Sequence, residues 1–270
     1  MQNQKLVNRV FAGLAFLLSL IVYMKTIAPT TSFWDCGEFI TCSYILGVPH
    51  PPGAPFYLLL GRIFTMIPFA ADIGLRVNAI SALSSALTVM FLYLIIVRLI
   101  KQWRGEAKDG FDMVILVASG MIGALGYAFT DTFWFNAVEA EVYAISMFFT
   151  SSIVWLILVW LDKSDEPGSE RYLLIIAYLV GLAIAVHLLM ILALPAIFMV
   201  IYFKYLESHG KAVSFKKFAS YIGFLVLIAF GELAIGLSAG IPFKVNLGII
   251  GAILLGIAFF TSDKENEISF

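Results

Sequence analysis

Asp35 and Glu38, in the stretch "SFWDCGEFITCSYILGVPHPPGAPFY", are the first residues of this chain whose types and spacing promise chemistry. Three positions apart on a helix they share a face, so both carboxylates point into one pocket. A carboxylate beside a bilayer is costly and reads as functional by default. The same spelling also fits a helix start, because an Asp ahead of a Glu at the third helical position is a capping-box pattern. The two readings are compatible, since a capping Asp can still present a base. Next comes "HPPGAPFY", from His50 to Tyr57. Its prolines forbid a helix start before Pro52 and stiffen the chain, while Gly53 permits close approach of a ligand or backbone. Either this is a rigid rim that holds His50 over a site, or it is a helix-start turn with a histidine at the membrane interface.

A second acidic pair, Glu139 and Glu141, sits in "DTFWFNAVEAEVY". Helical positions i and i+2 face different ways, so at most one of them is expected to share the pocket of Asp35. Glu141 is favoured, with Glu139 close behind. The bland alternative is a helix N-terminus whose dipole favours acids, preceded by ordinary interfacial aromatics. His187 stands alone among apolar residues in "GLAIAVHLLMILALP". It is either a buried histidine with one partner or a donor to a lipid phosphate. Arg62 and Lys244 are the other cations on the same side. Arg62 suits fork-like phosphate binding, or simply snorkels to the headgroups.

The elements that must position these residues are membrane helices. The 270 residues are 61% hydrophobic and only 13% charged, against about 45–50% and about 25% in soluble domains. A crossing needs roughly 20 apolar residues, which limits the chain to about nine spans. A net charge of -1 and the absence of a basic stripe argue against nucleic acid. There is no P-loop, no G-x-S-x-G, no H-E-x-x-H and no cysteine pair with metal spacing. Cys36 and Cys42 are read as free thiols, too distant on a helix to bridge. No metal site and no cofactor is expected, although a divalent ion remains compatible with the acids.

Clear apolar runs cover Val10–Ile27, Val77–Val97, Met113–Phe129, Tyr143–Leu161, Leu173–Phe203, Phe218–Leu237 and Leu247–Phe260. The basic stretches "RLIKQWRGEAK" and "KYLESHGKAVSFKK" belong in the cytoplasm by the positive-inside rule. That placement requires Pro52–Ala71 to lie along the outer surface as an amphipathic helix. It also requires Leu173–Phe203 to be two short tilted spans meeting near His187. The fold expected is therefore an all-α polytopic membrane protein of about eight transmembrane helices. Both termini are inside, and an outer juxtamembrane helix follows the first span. Asp35, Glu38, His50, Glu139, Glu141 and the His187 turn then gather on the outer side.

The order of these features resembles the GT-C-fold membrane glycosyltransferases. It is most similar to a bacterial family of multi-pass proteins related to the protein O-mannosyltransferase transmembrane protein 260. "FWDCGEF", "GVPHPPGAPFY", "NAVEAEVYA" and "GLAIAVHLLMILALP" carry the likeness, over about residues 10 to 205. The resemblance implies a mannose-like sugar donated from a polyprenyl or dolichyl phosphate to a protein or glycan acceptor outside the cytoplasm. The setting it implies is a bacterial inner membrane, with the active site facing the periplasm. It matches Asp35 to the base that the first outer loop supplies, and Glu139 and Glu141 to supporting acids. Residues 1–205 would form the catalytic membrane module. Residues 206–270 would add a transmembrane hairpin and a short cytoplasmic tail. Family members often continue further, so the chain is either a whole enzyme or part of one.

The chemistry fits those residues on its own terms. A phosphate-linked sugar has a good leaving group, so the main need is a base for the acceptor hydroxyl. Asp35 is the expected base, with Glu38 or Glu141 as a positioning acid. His50, Arg62, Glu139 and His187 would bind substrate, Arg62 and His187 by steadying charge on the leaving phosphate. One displacement inverts the anomeric carbon. The competing classes are a transporter with an acidic proton path and a non-catalytic membrane subunit.

Overall fold

Four apolar helices build the frame of the computed structural model, which describes residues 2–210 together with Gly240 and Val245. They are α1 (Gln2–Thr26), α4 (Ile73–Arg104), α5 (Gly110–Ala128) and α7 (Val142–Lys163). Each is long and apolar enough to cross a membrane. Between them come α2 (Cys36–Ile45), α3 (Pro55–Met66) and the short α6 (Asp131–Ala137). Then follow α8 (Glu170–Ile184), a 3-10 helix (Leu188–Ala193) and α9 (Leu194–Ser208). Among the described residues every regular element is helical. The chain divides into two compact units, Met1–Lys204 and Tyr205–Phe270, and everything below concerns the first. The expected spans Phe218–Leu237 and Leu247–Phe260, and the cation Lys244, lie outside the described residues.

α4 is the central post and packs against α1, α5 and α7. Its buried face is made of small residues, Ser81, Ala82, Ser85, Ala86 and Thr88 among them, which lets neighbouring backbones come close. Asp72 caps its start by accepting from the Leu75 amide at 3.3 Å. Lys101 and Arg104 occupy its last turn, where cations suit the helix dipole. The face of α1 away from the bundle exposes Leu14, Leu17, Leu18 and Ile21. Such a continuous apolar stripe is a liability in water and ordinary against lipid.

Because α1, α4, α5 and α7 alternate in direction, the segments between them fall at two ends. At one end the Gln4 amide donates to the Ala107 carbonyl at 2.7 Å, and Arg98 pairs with Asp162. At the other, the Tyr23 hydroxyl donates to Ala128 O at 2.9 Å, and the Ala28 amide donates to Val138 O at 2.9 Å. This second end carries α2, α3 and α6. Its buried Asn78 donates to the carbonyls of Ala28 and Thr30 at 2.8 and 2.9 Å and so pins the loop ahead of α2.

α3 has 12 residues and is about 18 Å long, too short to cross. This agrees with Pro52–Ala71 not being a span. The apolar run from Leu173 breaks near His187, as its length demands. α8 and α9 have 15 residues each, and Lys204 pairs with Asp165 at 3.1 Å. The end of α9 therefore comes back beside the start of α8, and the chain folds over at the break.

α2 packs closely on α3 at Gly61. A Cβ on Gly61 would stand 2.1 Å from Ser43 Oγ and 2.6 Å from Ser43 Cβ. Gly61→Ala is therefore expected to force the two helices apart, at a cost of about 1–3 kcal/mol. Thermal unfolding in detergent measures it, and adding Ser43→Gly should return most of the loss.

Candidate functional site

The site is assembled at the loop-rich end from the starts of α2 and α7, the turn before α3 and the break after α8. Asp35 occupies the N-cap position of α2 but its side chain makes no capping hydrogen bond. The side chain is 56% exposed, so the carboxylate is left available. Glu38 does not reach back to complete a capping box. Both of its oxygens turn outward to His50, accepting from the His50 amide at 2.7 Å and pairing with ring Nδ1 at 2.7 Å. That two-point grip fixes the ring and leaves Nε2 facing Asp35 Oδ2 at 4.0 Å. Phe39 backs the imidazole, with centroids 6.0 Å apart.

The loop can deliver His50 there because of its turn chemistry. The Gly53 amide donates to His50 O at 2.9 Å, at a φ of 74° that suits glycine. Pro55 then opens α3, and the Phe56 amide donates to the Ala185 carbonyl at 3.1 Å. The turn is thus tied to the break between α8 and α9. The electrostatics follow from the contacts. Hydrogen bonds from the His50 ring and amide hold the Glu38 carboxyl below its usual range. The bond to Glu38, then the charges of Glu38, Asp35 and Glu141, raise His50 above an ordinary histidine.

Beneath this exposed group lies a buried one. Glu139 is 2% exposed and Glu141 is 6% exposed. Ser32 Oγ donates to Glu139 Oε2 at 2.7 Å, and Cys36 Sγ lies 3.8 Å from Glu141 Oε1. Burial first, then the charges of Asp35 and Glu139, lift the Glu141 carboxyl to about 7. Burial also raises Glu139, against the opposing bonds from Ser32 and Cys36. Burial and these two acids push the Cys36 thiol up to about 12, so it is a poor nucleophile. Both cysteines are free and buried.

The expectation is that at most one of Glu139 and Glu141 shares the pocket of Asp35; in the structure both are buried. α6 ends at Ala137, and Glu141 is an extended N-cap residue with φ -129° and ψ 150°. The chain bends through residues 138–140, where the Glu141 amide donates to Glu139 O at 2.9 Å, so helical spacing does not apply and both side chains are buried.

His187 is half-buried, its ring 5.3 Å from that of Tyr143 in the first turn of α7. It therefore borders the group through the residues next to Glu141. Arg62 does not join it. Its guanidinium donates to the Tyr44 carbonyl and lies 5.8 Å from the Tyr44 ring centroid, at the far end of α2 from Asp35. Residues that sequence reasoning passed over are Ser32, Asn78 and Tyr57. Tyr57 is fully buried, and its hydroxyl has no hydrogen-bond partner among the described residues. Burial, then Glu141 and Cys36, raise its pKa well above the ordinary tyrosine value. Only its place at the end of "HPPGAPFY" could have flagged it.

Ligand atoms of Asp35, Glu38 and His50 all lie within 4.8 Å of one another. With Nδ1 already held by Glu38, Nε2 and the Asp35 carboxylate are the atoms left to meet a cation or a substrate. The group as a whole offers one accessible carboxylate, an imidazole preset beside it and a protonatable acid underneath. That set can accept a proton from a bound hydroxyl.

A family model described as the protein O-mannosyl-transferase TMEM260 N-terminal domain matches residues 35–210. The chain is 26% identical over 162 residues to the protein O-mannosyl-transferase tmem260 of Dictyostelium discoideum, covering 59% of this chain and 18% of that protein. It is 26% identical over 206 residues to the protein O-mannosyl-transferase TMEM260 of Mus musculus, covering 76% of this chain and 26% of that protein. The chain thus matches about a fifth to a quarter of the length of these curated relatives. No solved structure matches it.

Proposed function

This chain belongs to the family of the protein O-mannosyl-transferase TMEM260 N-terminal domain, and on that footing we propose that it is a membrane glycosyltransferase module. It moves a mannose-like hexose from a polyprenyl-phosphate carrier to a hydroxyl of a protein or glycan. Transfer takes place on the extracytoplasmic face of the membrane, which in a bacterium is the periplasmic side of the inner membrane. The observation that carries the reading is the gathering of Asp35, Glu38, His50, Glu139 and Glu141 at one end of the bundle, opposite the end that bears Arg98, Lys101 and Arg104. The positive-inside rule sends that basic end to the cytoplasm.

The architecture that goes with this reading is GT-C-like. Eight spans include α8 and α9 as a tilted pair and a further hairpin beyond residue 205. Residues 1–205 act as the catalytic module. Asp35 is the base. As the acceptor oxygen bonds to the anomeric carbon, its O–H bond breaks toward Asp35. The bond from that carbon to the phosphate oxygen breaks with its electron pair, and the carrier leaves as lipid phosphate. A single displacement inverts the centre, so the retaining double-carboxylate route is not needed. Glu141 and Glu139 shape the field under Asp35. His187, beside Tyr143 at the start of α7, is the proposed donor to the leaving phosphate.

Mass spectrometry of extracytoplasmic proteins and glycolipids, with and without the gene, tests the reading. Hexose-bearing species that vanish with the gene and return on complementation are the expected result. Identical profiles would remove it.

A further inference from the structure

We propose that His50, gripped from behind by Glu38, carries the acceptor's proton away from Asp35. This deepens the glycosyltransferase reading and rests on Asp35 being the base. It moves His50 from the donor side of the reaction, where a histidine over the site would bind phosphate, to the acceptor side.

A base sits about 3 Å from the hydroxyl oxygen it serves, and that oxygen starts about 3–3.5 Å from the carbon it attacks. In an in-line displacement the leaving oxygen lies beyond that carbon. Base and leaving oxygen are therefore separated by roughly 7 Å, with the sugar between them. His50 Nε2 is 4.0 Å from Asp35 Oδ2. A group at that distance could touch the leaving oxygen only along the line the acceptor and sugar themselves fill, so His50 stands on the hydroxyl's side of the sugar.

The ring is also set up for the task. Glu38 holds Nδ1 at 2.7 Å and the His50 amide at 2.7 Å. The neutral ring then keeps its proton on Nδ1 toward Glu38 and offers the lone pair of Nε2 to Asp35. A carboxylate behind an imidazole stabilises the imidazolium that forms. The ring is 48% exposed, so it can hand the proton on to water. Asp35 and Glu38 face it from the start of α2, and Glu141 acts on it from the start of α7. All three favour the protonated ring.

The steps balance. The acceptor's proton passes to Asp35 as the new glycosidic bond forms. Rotation of the exposed Asp35 carboxyl closes the 4.0 Å gap to hydrogen-bond distance, the proton then passes from Asp35 to Nε2 of His50, and the imidazolium gives it to water. Asp35 is regenerated, and the electron pair of the broken bond stays on the lipid phosphate. Glu38 touches no substrate in this scheme and is a positioning residue for His50.

The test is the pH profile of kcat/KM in the full-length protein. The donor is a short-chain polyprenyl-phosphate mannose and the acceptor a serine- and threonine-rich peptide. In the unaltered protein the rate should rise with pH through an apparent pKa above that of an ordinary histidine, because the neutral ring is the working form. Glu38→Gln should shift this limb to lower pH and reduce the plateau about tenfold. His50→Gln should erase the limb and lower kcat about 10–100-fold, with KM for the donor unchanged. A higher donor KM with the limb in place would return His50 to the phosphate side and overturn the proposal. So would full activity in His50→Gln. Asp35→Asn separates the layers, since full activity there removes the base itself.

If His50→Gln does not fold, carbethoxylation of His50 in the unaltered protein gives the answer. Its rate, read by peptide mass spectrometry, should be unaffected by added short-chain polyprenyl phosphate. Protection by that phosphate would overturn the proposal.

Discussion

Asp35→Asn is expected to reduce kcat for sugar transfer by about 10²–10⁴-fold, the range typical for removing a general base, while the bundle stays folded. The structure explains why the two effects separate. The Asp35 side chain is 56% exposed and makes no capping hydrogen bond, so the charge takes with it only the 4.0 Å approach to exposed His50, which contributes little to stability. Asn has the same shape and is as good at an N-cap, so stability should change by no more than about 0.5 kcal/mol. Transfer of labelled hexose, read beside the melting temperature in detergent, checks both halves. Asp35→Glu keeps the carboxylate but advances it by a methylene, and should recover only part of the rate.

Glu141→Gln is expected to do the opposite to stability, and its effect depends on pH. Burial and the neighbouring acids raise the Glu141 carboxyl from 4.5 to about 7. The folded protein therefore holds a proton that the unfolded chain has already released. Unfolded chains bind fewer protons across that window, so stability falls as pH rises from about 4.5 to about 7 and levels off above. The stability lost by about pH 8 is on the order of 3 kcal/mol. Gln keeps the shape and cannot ionise. The variant should melt above the unaltered protein at pH 8 and together with it near pH 4.5. If Glu141 tunes Asp35, the same variant loses activity at the pH where it gains stability, a trade typical of functional sites.

The long helices were legible because their signal is local. Val10–Ile27, Val77–Val97, Met113–Phe129 and Tyr143–Leu161 are apolar runs of spanning length, and α1, α4, α5 and α7 contain them almost residue for residue. The break near His187 was legible from length alone. The pairing of His50 with Glu38 was not, because it depends on a turn between α2 and α3 that swings His50 back over the start of α2. No spacing rule encodes that closure. Helical spacing could not place Glu139 and Glu141, because they lie at a bend between α6 and α7 where both are buried. Arg62 looked like a phosphate ligand by type, yet the Tyr44 carbonyl takes its guanidinium. Residue type suggests what a side chain can bind, and packing decides what it meets.

The most direct test of the account uses the full-length protein in sealed proteoliposomes carrying polyprenyl-phosphate mannose. A membrane-impermeant serine- and threonine-rich peptide is supplied to one face at a time, and the orientation is fixed by protease access to the N-terminus. The account predicts that the peptide acquires mannose only from the face opposite the N-terminus, the face that carries Asp35. Mannosylation only from the N-terminal face, or none from either, would contradict it.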